Sequence, residues 1–395
     1  MTHATIEGTT AAGFEPVREC FERNFTDRKE VGAAVAVLHR GQPVVDLWGG
    51  RADPETDRAW RRDTVTGIAS TTKAMATISV LHLADRGDLD LDRAIADYWP
   101  AFAEGKQDIT LRMVLTHRSG VVSLEHAPVT YEALAEGTPV FDAIASARPQ
   151  WAPGEAHGYH GVTFGHLLSA VVKAVTGVTV GRYFASAIAE PLGLDCYIGL
   201  PESELPRLAS LVVPAASEAV MLGNQVPALR GLYEGLADPT SLTYRAMYGS
   251  FQIGWESASD PKFSQVEAPS TDGTASAVGL AKLFAATIGE VDGMRLLGAE
   301  LVRQAGTVYS TGRDRVLNIR TDWGLGFMVP GGPFVPRRVP AGSFGHGGAT
   351  GSFAFADPGS GLAFGYTPNR GSELLEGNDL RVNELVDAVY RCLRT

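Results

Sequence analysis

The run from Gly67 to Ala84 constrains this chain more than any other stretch. It predicts a helix that is apolar apart from one lysine, with Ser70 and Lys73 three residues apart and so on one face of its first turn. The start of a helix supplies unpaired N–H groups and the positive end of the dipole. That end disfavours an ammonium ion, and burial pushes the same way. The chain has 28 arginines and 6 lysines, so a lysine here points to something arginine cannot do, which is to give up its proton. A hydroxyl beside a basic amine, with N–H groups waiting for an oxyanion, is a nucleophile assembly. Taken alone, the pair also fits an ordinary helix start with Ser70 as its cap and Lys73 in solvent. Other elements must decide.

The 395 residues suffice for two or three average domains or for one large two-lobed enzyme. A hydrophobic share of 45% and a charged share of 20% describe a soluble globular protein with a sizeable core. The net charge of −11 argues against nucleic acid or an anionic membrane surface as partner. Cys20, Cys196 and Cys392 are odd in number and far apart, which suits free thiols in a reducing compartment and forms no metal motif. The first residues lack the basic start and apolar run of a secretion signal, and no stretch is apolar enough to span a membrane. A cytoplasmic location is expected, with no cofactor.

Along the chain, Phe14 to Asp27 has helical spacing, and Val31–His39 and Pro43–Trp48 flank a short polar turn as a hairpin. From the Ser70 helix to about Ser241 the pattern is mostly helical, and Ser210 to Ser264 suggests long loops over a pocket. A helix is expected over Thr274–Ile288. Strands are expected at Trp323–Val329, Ser343–Gly345, Ser352–Asp357 and Gly361–Thr367, before a closing helix over Asn378–Leu393. This order predicts an α/β (α+β) protein whose antiparallel sheet is assembled from both chain ends. The lobes would comprise about 10–70 with 265–395, and an inserted helical block of about 71–264, with the active site where they meet.

Two further segments carry chemistry. Tyr159 sits on a loop that ends at a helix start, and a phenol becomes a usable base when a cation such as Lys73 lies beside it. Between two expected strands, His346, Gly347 and Gly348 precede Ala349; paired glycines let backbone approach a ligand, and the Ala349 N–H could join that of Ser70 as an oxyanion donor.

These elements together resemble the serine β-lactamase and penicillin-binding-protein superfamily, above all its family VIII carboxylesterases, which are related to class C β-lactamases. Ser70-x-x-Lys73 matches the nucleophile motif, Tyr159 the Tyr-x-Asn position, and His346-Gly347-Gly348 the Lys-Thr-Gly position. Leu115-Thr116-His117-Arg118-Ser119-Gly120, Pro153-Gly154 and Trp323-Gly324-Leu325-Gly326-Phe327 add to the likeness, which runs from about residue 30 to the end. The resemblance implies a β-lactamase-like fold and an acyl-enzyme on Ser70. Lys73 and Tyr159 would share proton transfer, the N–H groups of Ser70 and Ala349 would hold the oxyanion, and His346, Gly347 and Gly348 would contact a small ester. Gly161 stands where the family has asparagine and His346 where it has lysine, and both changes favour an uncharged ester over a lactam.

Other readings compete. Ala341-Gly342-Ser343-Phe344-Gly345 approximates a nucleophile elbow but lies between strands, with His346 only three residues on. His117, His126, His157, His160 and His166 raise a metal hydrolase, although no His-Glu-x-x-His helix occurs. An acyltransferase, an amidase or D-peptidase, a weak β-lactamase or a silent binding protein on the same fold would differ mainly in pocket shape.

Overall fold

The computed structural model describes residues 4–124, 129–212, 226–249, 260–372 and 379–394. Both chain ends build one antiparallel sheet from β1 (Ile6–Thr10), β2 (Gly32–His39), β3 (Gln42–Asp53), β4 (Arg58–Ala59), β5 (Phe344–Gly347), β6 (Phe353–Asp357) and β7 (Leu362–Pro368). The strand order is β1-β3-β2-β7-β6-β5, with β4 on the edge of β3. The β2–β7 pair, in register from His39↔Leu362 to Ala33↔Pro368, joins the two ends.

Alternation along these strands sorts side chains by size. Ala34, Ala36, Ala354, Ala356 and Ala363 face one core, where α4 (Ala277–Ile288) packs on the sheet. The approach is so close that a Cβ on Gly365 would lie 2.4 Å from the Ala277 carbonyl oxygen, so only glycine fits there. Val35, Val37, Phe355, Phe364 and Tyr366 face the other core, with Val17 and Phe21 of α1 (Glu15–Asp27) and Leu385 and Val389 of α5 (Leu380–Cys392). Small residues thus admit a helix and large ones fill the opposite layer.

Helix α2 (Thr72–Asp85) follows a single 3₁₀ turn, Ala69–Thr71, and is buried from Thr72 to Leu81. It packs against α3 (Thr163–Thr176). Its polar groups are satisfied locally, Ser79 Oγ donating to the Met75 carbonyl and Thr77 Oγ1 to that of Gly326. Among the described residues, no single helix is long and apolar enough to cross a membrane.

Three local expectations change, and one strand is unforeseen. Strand β1 was not legible, because Ile6–Thr10 is a short edge strand with alternating exposure and a glycine at φ +97° in its centre. The strand expected at Trp323–Val329 instead ends at Trp323, spans Arg320–Trp323 and pairs with Ser310–Arg313. Gly324 and Gly326 turn the chain, and Met328 alone bridges back to Gly345. The α4 helix starts at Ala277, since Thr274–Ala275 pair with Thr66–Gly67 and Cys196–Tyr197 before the Ser276 hydroxyl caps it. Within Ser210–Ser264 the expected loops include short helices at Arg230–Ala237, Leu242–Tyr244, Arg245–Gly249 and Pro261–Gln265; these are too short to show periodicity, and the rest lies partly outside the described residues.

Candidate active site

Ser70 is half-exposed in a turn whose neighbours Ile68, Ala69, Thr71 and Thr72 are buried. Ala69 holds φ +42°, a left-handed conformation that costs a residue with a Cβ about 1 kcal/mol or more. Thr72 Oγ1 donates to the Ala69 carbonyl at 2.5 Å and accepts from Gly273 N–H at 2.8 Å, so the turn is held from outside. Lys73 is fully buried. Its Nζ lies 2.7 Å from the Gly161 carbonyl oxygen, 2.9 Å from that of Ser270 and 3.4 Å from Ser70 Oγ. Two carbonyls can only accept hydrogen, so each takes an N–H bond of the amine, and the Ser70 hydroxyl lies within reach of the same nitrogen.

Tyr159 is brought to the same place from its loop. Lys73 Nζ lies 4.9 Å from the centre of its buried ring. The ring stacks on Trp323, with centroids 5.2 Å apart and planes at 9°, and lies 5.2 Å from His117. Asp314 holds the assembly. Its Oδ1 accepts from the N–H groups of Tyr159, Val316 and Leu317 at 3.0, 2.9 and 2.8 Å, and its Oδ2 from Trp323 Nε1 and Thr321 Oγ1 at 3.3 and 3.2 Å. Asp314, like Ser270 and Met247, escaped sequence reasoning because a lone aspartate among 45 acidic residues carries no local signal.

The turn after β5 docks on the serine turn. A Cβ on Gly348 would lie 2.2 Å from the Ile68 carbonyl oxygen, so this approach requires glycine. Ser352 Oγ donates to that same carbonyl at 2.8 Å and lies 2.9 Å from Thr71 Oγ1. Half-exposed Ala349 thus follows directly on the glycine that touches the Ser70 turn. Ser343, by contrast, is fully buried at the start of β5. A cleft of about 490 Å³ at the far end of α2, lined by His82, Arg86, Tyr183 and Met294 among others, contains none of these residues.

A model of the Beta-lactamase family matches residues 17–387. The chain belongs to the β-lactamase family. It is 34% identical over 378 residues to the protein named esterase/beta-lactamase LipL of Mycobacterium tuberculosis, with 92% of this chain and 83% of that one covered. A crystal structure of a family VIII carboxylesterase superposes with a TM-score of 0.83 at 34% identity, covering 98% of this chain and all of the other. A penicillin-binding-protein homologue from Caulobacter crescentus gives 0.85 at 35% identity over the same shares.

Within this family the two departures have physical counterparts. The space that a side chain at 161 would occupy is taken, since a Cβ there would lie 2.6 Å from Met247 Sδ and 3.2 Å from the Ala246 carbonyl oxygen. His346 is fully buried, and its pKa is pushed down to about 3, first by burial and then by the Lys73 charge. Its Nδ1 donates to the Gly347 carbonyl at 2.7 Å, which leaves Nε2 as the acceptor of a neutral ring.

His117, His157 and His160 are internal supports. His160 Nδ1 donates to the Gly158 carbonyl at 2.8 Å, and its Nε2 accepts from Ser119 Oγ at 2.6 Å. His117 Nδ1 accepts from the His160 N–H, and His157 Nε2 bonds Thr321 Oγ1. His126 lies outside the described residues, and among those described no group of three His, Cys, Asp or Glu side chains could hold a metal ion.

Burial pushes His166 down to about 4, with the Lys73 charge adding to the effect. An unfolded histidine titrates near 6.5. The unfolded chain therefore binds the extra proton between these values, and this contribution to stability is complete above pH 6.5 and lost as pH falls toward 4. His166→Leu removes the term. Its urea-unfolding free energy should lose about 1 kcal/mol less per pH unit than the parent between pH 6 and 4.5. Parallel slopes would show that His166 does not titrate differently in the two states.

Proposed function

We propose that the chain is a serine carboxylesterase that hydrolyses small, uncharged carboxylic esters through an acyl-enzyme on Ser70. The observation that carries this reading is the placement of Lys73, whose buried amine is held by two carbonyls with one of its directions toward Ser70 Oγ. In the neutral amine that direction holds the lone pair. Ser70 Oγ attacks the ester carbonyl carbon as its proton passes to Lys73 Nζ. The oxyanion is received by the N–H groups of Ser70 and Ala349. The Tyr159 hydroxyl protonates the departing alkoxide and regains a proton through Lys73. Water then attacks the acyl carbon by the reverse relay, releasing the acid and freeing Ser70.

In this reading the buried His346–Gly348 segment backs the substrate-facing edge, which the half-exposed Ala349 presents. A neutral imidazole there offers no cation to a substrate carboxylate, and Met247 stands where an asparagine amide would meet a lactam side chain. A second reading, β-lactam hydrolysis, is favoured by the name of the mycobacterial relative. We further read the chain as one two-lobed unit of about 10–70 with 265–395 and about 71–264. Ser70, His346 and Ala349 would come from the sheet side and Tyr159 from the helical side. The three free cysteines, two of them buried, support a reducing compartment.

The deciding experiment combines a fluorophosphonate label, peptide mapping and a substrate pair. The adduct is expected on the Ser70 peptide and absent in Ser70→Ala, with phenyl acetate turned over and a penicillin hydrolysed at least about a hundredfold less efficiently in kcat/KM. An adduct on Ser343, or none, would overturn the esterase mechanism; comparable kcat/KM values would favour the second reading.

A further inference from the structure

The two carbonyls that pin Lys73 come from segments more than a hundred residues apart, Gly161 just ahead of α3 and Ser270 just ahead of α4. One side chain joins them. Ser270 Oγ donates to the Val162 carbonyl at 2.6 Å and accepts from the Gly165 N–H at 2.7 Å, while the Ser270 carbonyl itself lies on Lys73. Ser270 is 1% exposed, so water does not compete for these bonds. A Cβ on Gly165 would lie 2.3 Å from the Pro269 carbonyl oxygen, which shows how tightly the two segments are pressed together.

The same loop is also tied to the nucleophile turn. Ile68 N–H donates to the Gly273 carbonyl at 2.9 Å, and Gly273 N–H donates to Thr72 Oγ1 at 2.8 Å. Asp272 stiffens it internally, both carboxyl oxygens lying 2.9 Å from Ala268 N. Residues 268–273 are therefore a bridge with one end on the Ser70 turn and its middle on the start of α3.

We infer that Ser270 is the positioning residue for Lys73: its hydroxyl sets the spacing between the Gly161 and Ser270 carbonyls and so aims the amine at Ser70 Oγ. This rests on the acyl-enzyme reading above. A hydroxyl is needed because the position must at once donate to the Val162 carbonyl and accept from the Gly165 N–H, both at the start of α3, which an apolar side chain cannot do. Without it the two carbonyls drift apart. The amine then spends less time facing the serine, and misaimed groups cost rate steeply. Substrate binding is untouched, since the Ser270 side chain faces the protein interior.

The test is a double-mutant cycle on hydrolysis of phenyl acetate. Ser270→Ala is expected to lower kcat about ten- to hundredfold with KM changed by less than about threefold. In a Lys73→Ala background the same change should alter the residual rate by less than about twofold, because nothing remains to be aimed. Ser270→Cys keeps the branching with a slightly larger sulfur and weakens both hydrogen bonds, so it carries the same comparison should the alanine variant fail to fold; its kcat should fall at least about threefold. An equal fractional loss in both backgrounds would make Ser270 merely structural and overturn the inference. So would an unchanged kcat or a loss expressed in KM. If Lys73→Ala itself retained the parental kcat, the role of Lys73 as base in the acyl-enzyme reading would fail instead, and the two failures are told apart by that single variant.

Discussion

Lys73→Ala and Tyr159→Phe are each expected to lower kcat on a phenyl ester about a thousandfold, and the double variant little further than the worse single one. The reason is geometric. Lys73 has its amine 3.4 Å from Ser70 Oγ and over the Tyr159 ring, 4.9 Å from its centre. In the proposed mechanism a proton leaving Ser70 and a proton reaching the alkoxide share one relay, so breaking either link should stop it. KM should move much less, because neither group is needed to hold a neutral ester. Steady-state kinetics of the three variants, with fluorophosphonate titration to count competent sites, measures this. A double variant whose loss is the product of the two single losses would mean that the groups act independently.

How much of this was legible beforehand follows from where the information lies. Ser70 and Lys73 are one turn apart, so their spacing is written locally, and the scarcity of lysine marks the position. The sheet built from both chain ends followed from strand patterns at the C-terminus and the hairpin near the N-terminus. Tyr159, His346 and Ala349 are flagged by their local chemistry but gain weight only through the resemblance, since a phenol on a loop and a histidine before two glycines are individually ordinary. What stayed hidden are side chains that act across long separations. Ser270 meets Lys73 from 197 positions away, and Asp314 reaches Tyr159 across 155. Met247 could not be found either, because its role is to fill space that Gly161 leaves. The Trp323–Phe327 motif carries part of the family likeness, and its pattern alone predicts a strand. Its structural purpose is to stack Trp323 on Tyr159 and to bring Gly326, at φ +84°, against Thr77 of α2.

The buttress behind Tyr159 yields the largest expected effect on stability. Asp314 is fully buried and accepts five hydrogen bonds, three from backbone N–H groups, one from Trp323 and one from Thr321. Asp314→Ala strands all of these donors away from water. A buried donor left unpaired costs about 1–3 kcal/mol, and local relaxation recovers part of the sum. The expected loss is therefore about 3–5 kcal/mol, seen as a lower urea midpoint and a lower Tm. Asp314→Asn separates the two sides of the carboxylate. Its remaining oxygen can keep the three backbone N–H groups, while its NH₂ turns a donor toward Trp323 Nε1, which is itself only a donor. Most of the fold stability should survive, at a cost of about 1–2 kcal/mol. The Trp323 indole, however, loses its anchor and the stacked Tyr159 ring loses its fixed partner, so kcat should fall about tenfold or more with KM nearly unchanged. An alanine variant within about 1 kcal/mol of the parent would show that the loop is held by packing instead. An asparagine variant with parental kcat would show that the Trp323 hydrogen bond plays no part in placing the phenol.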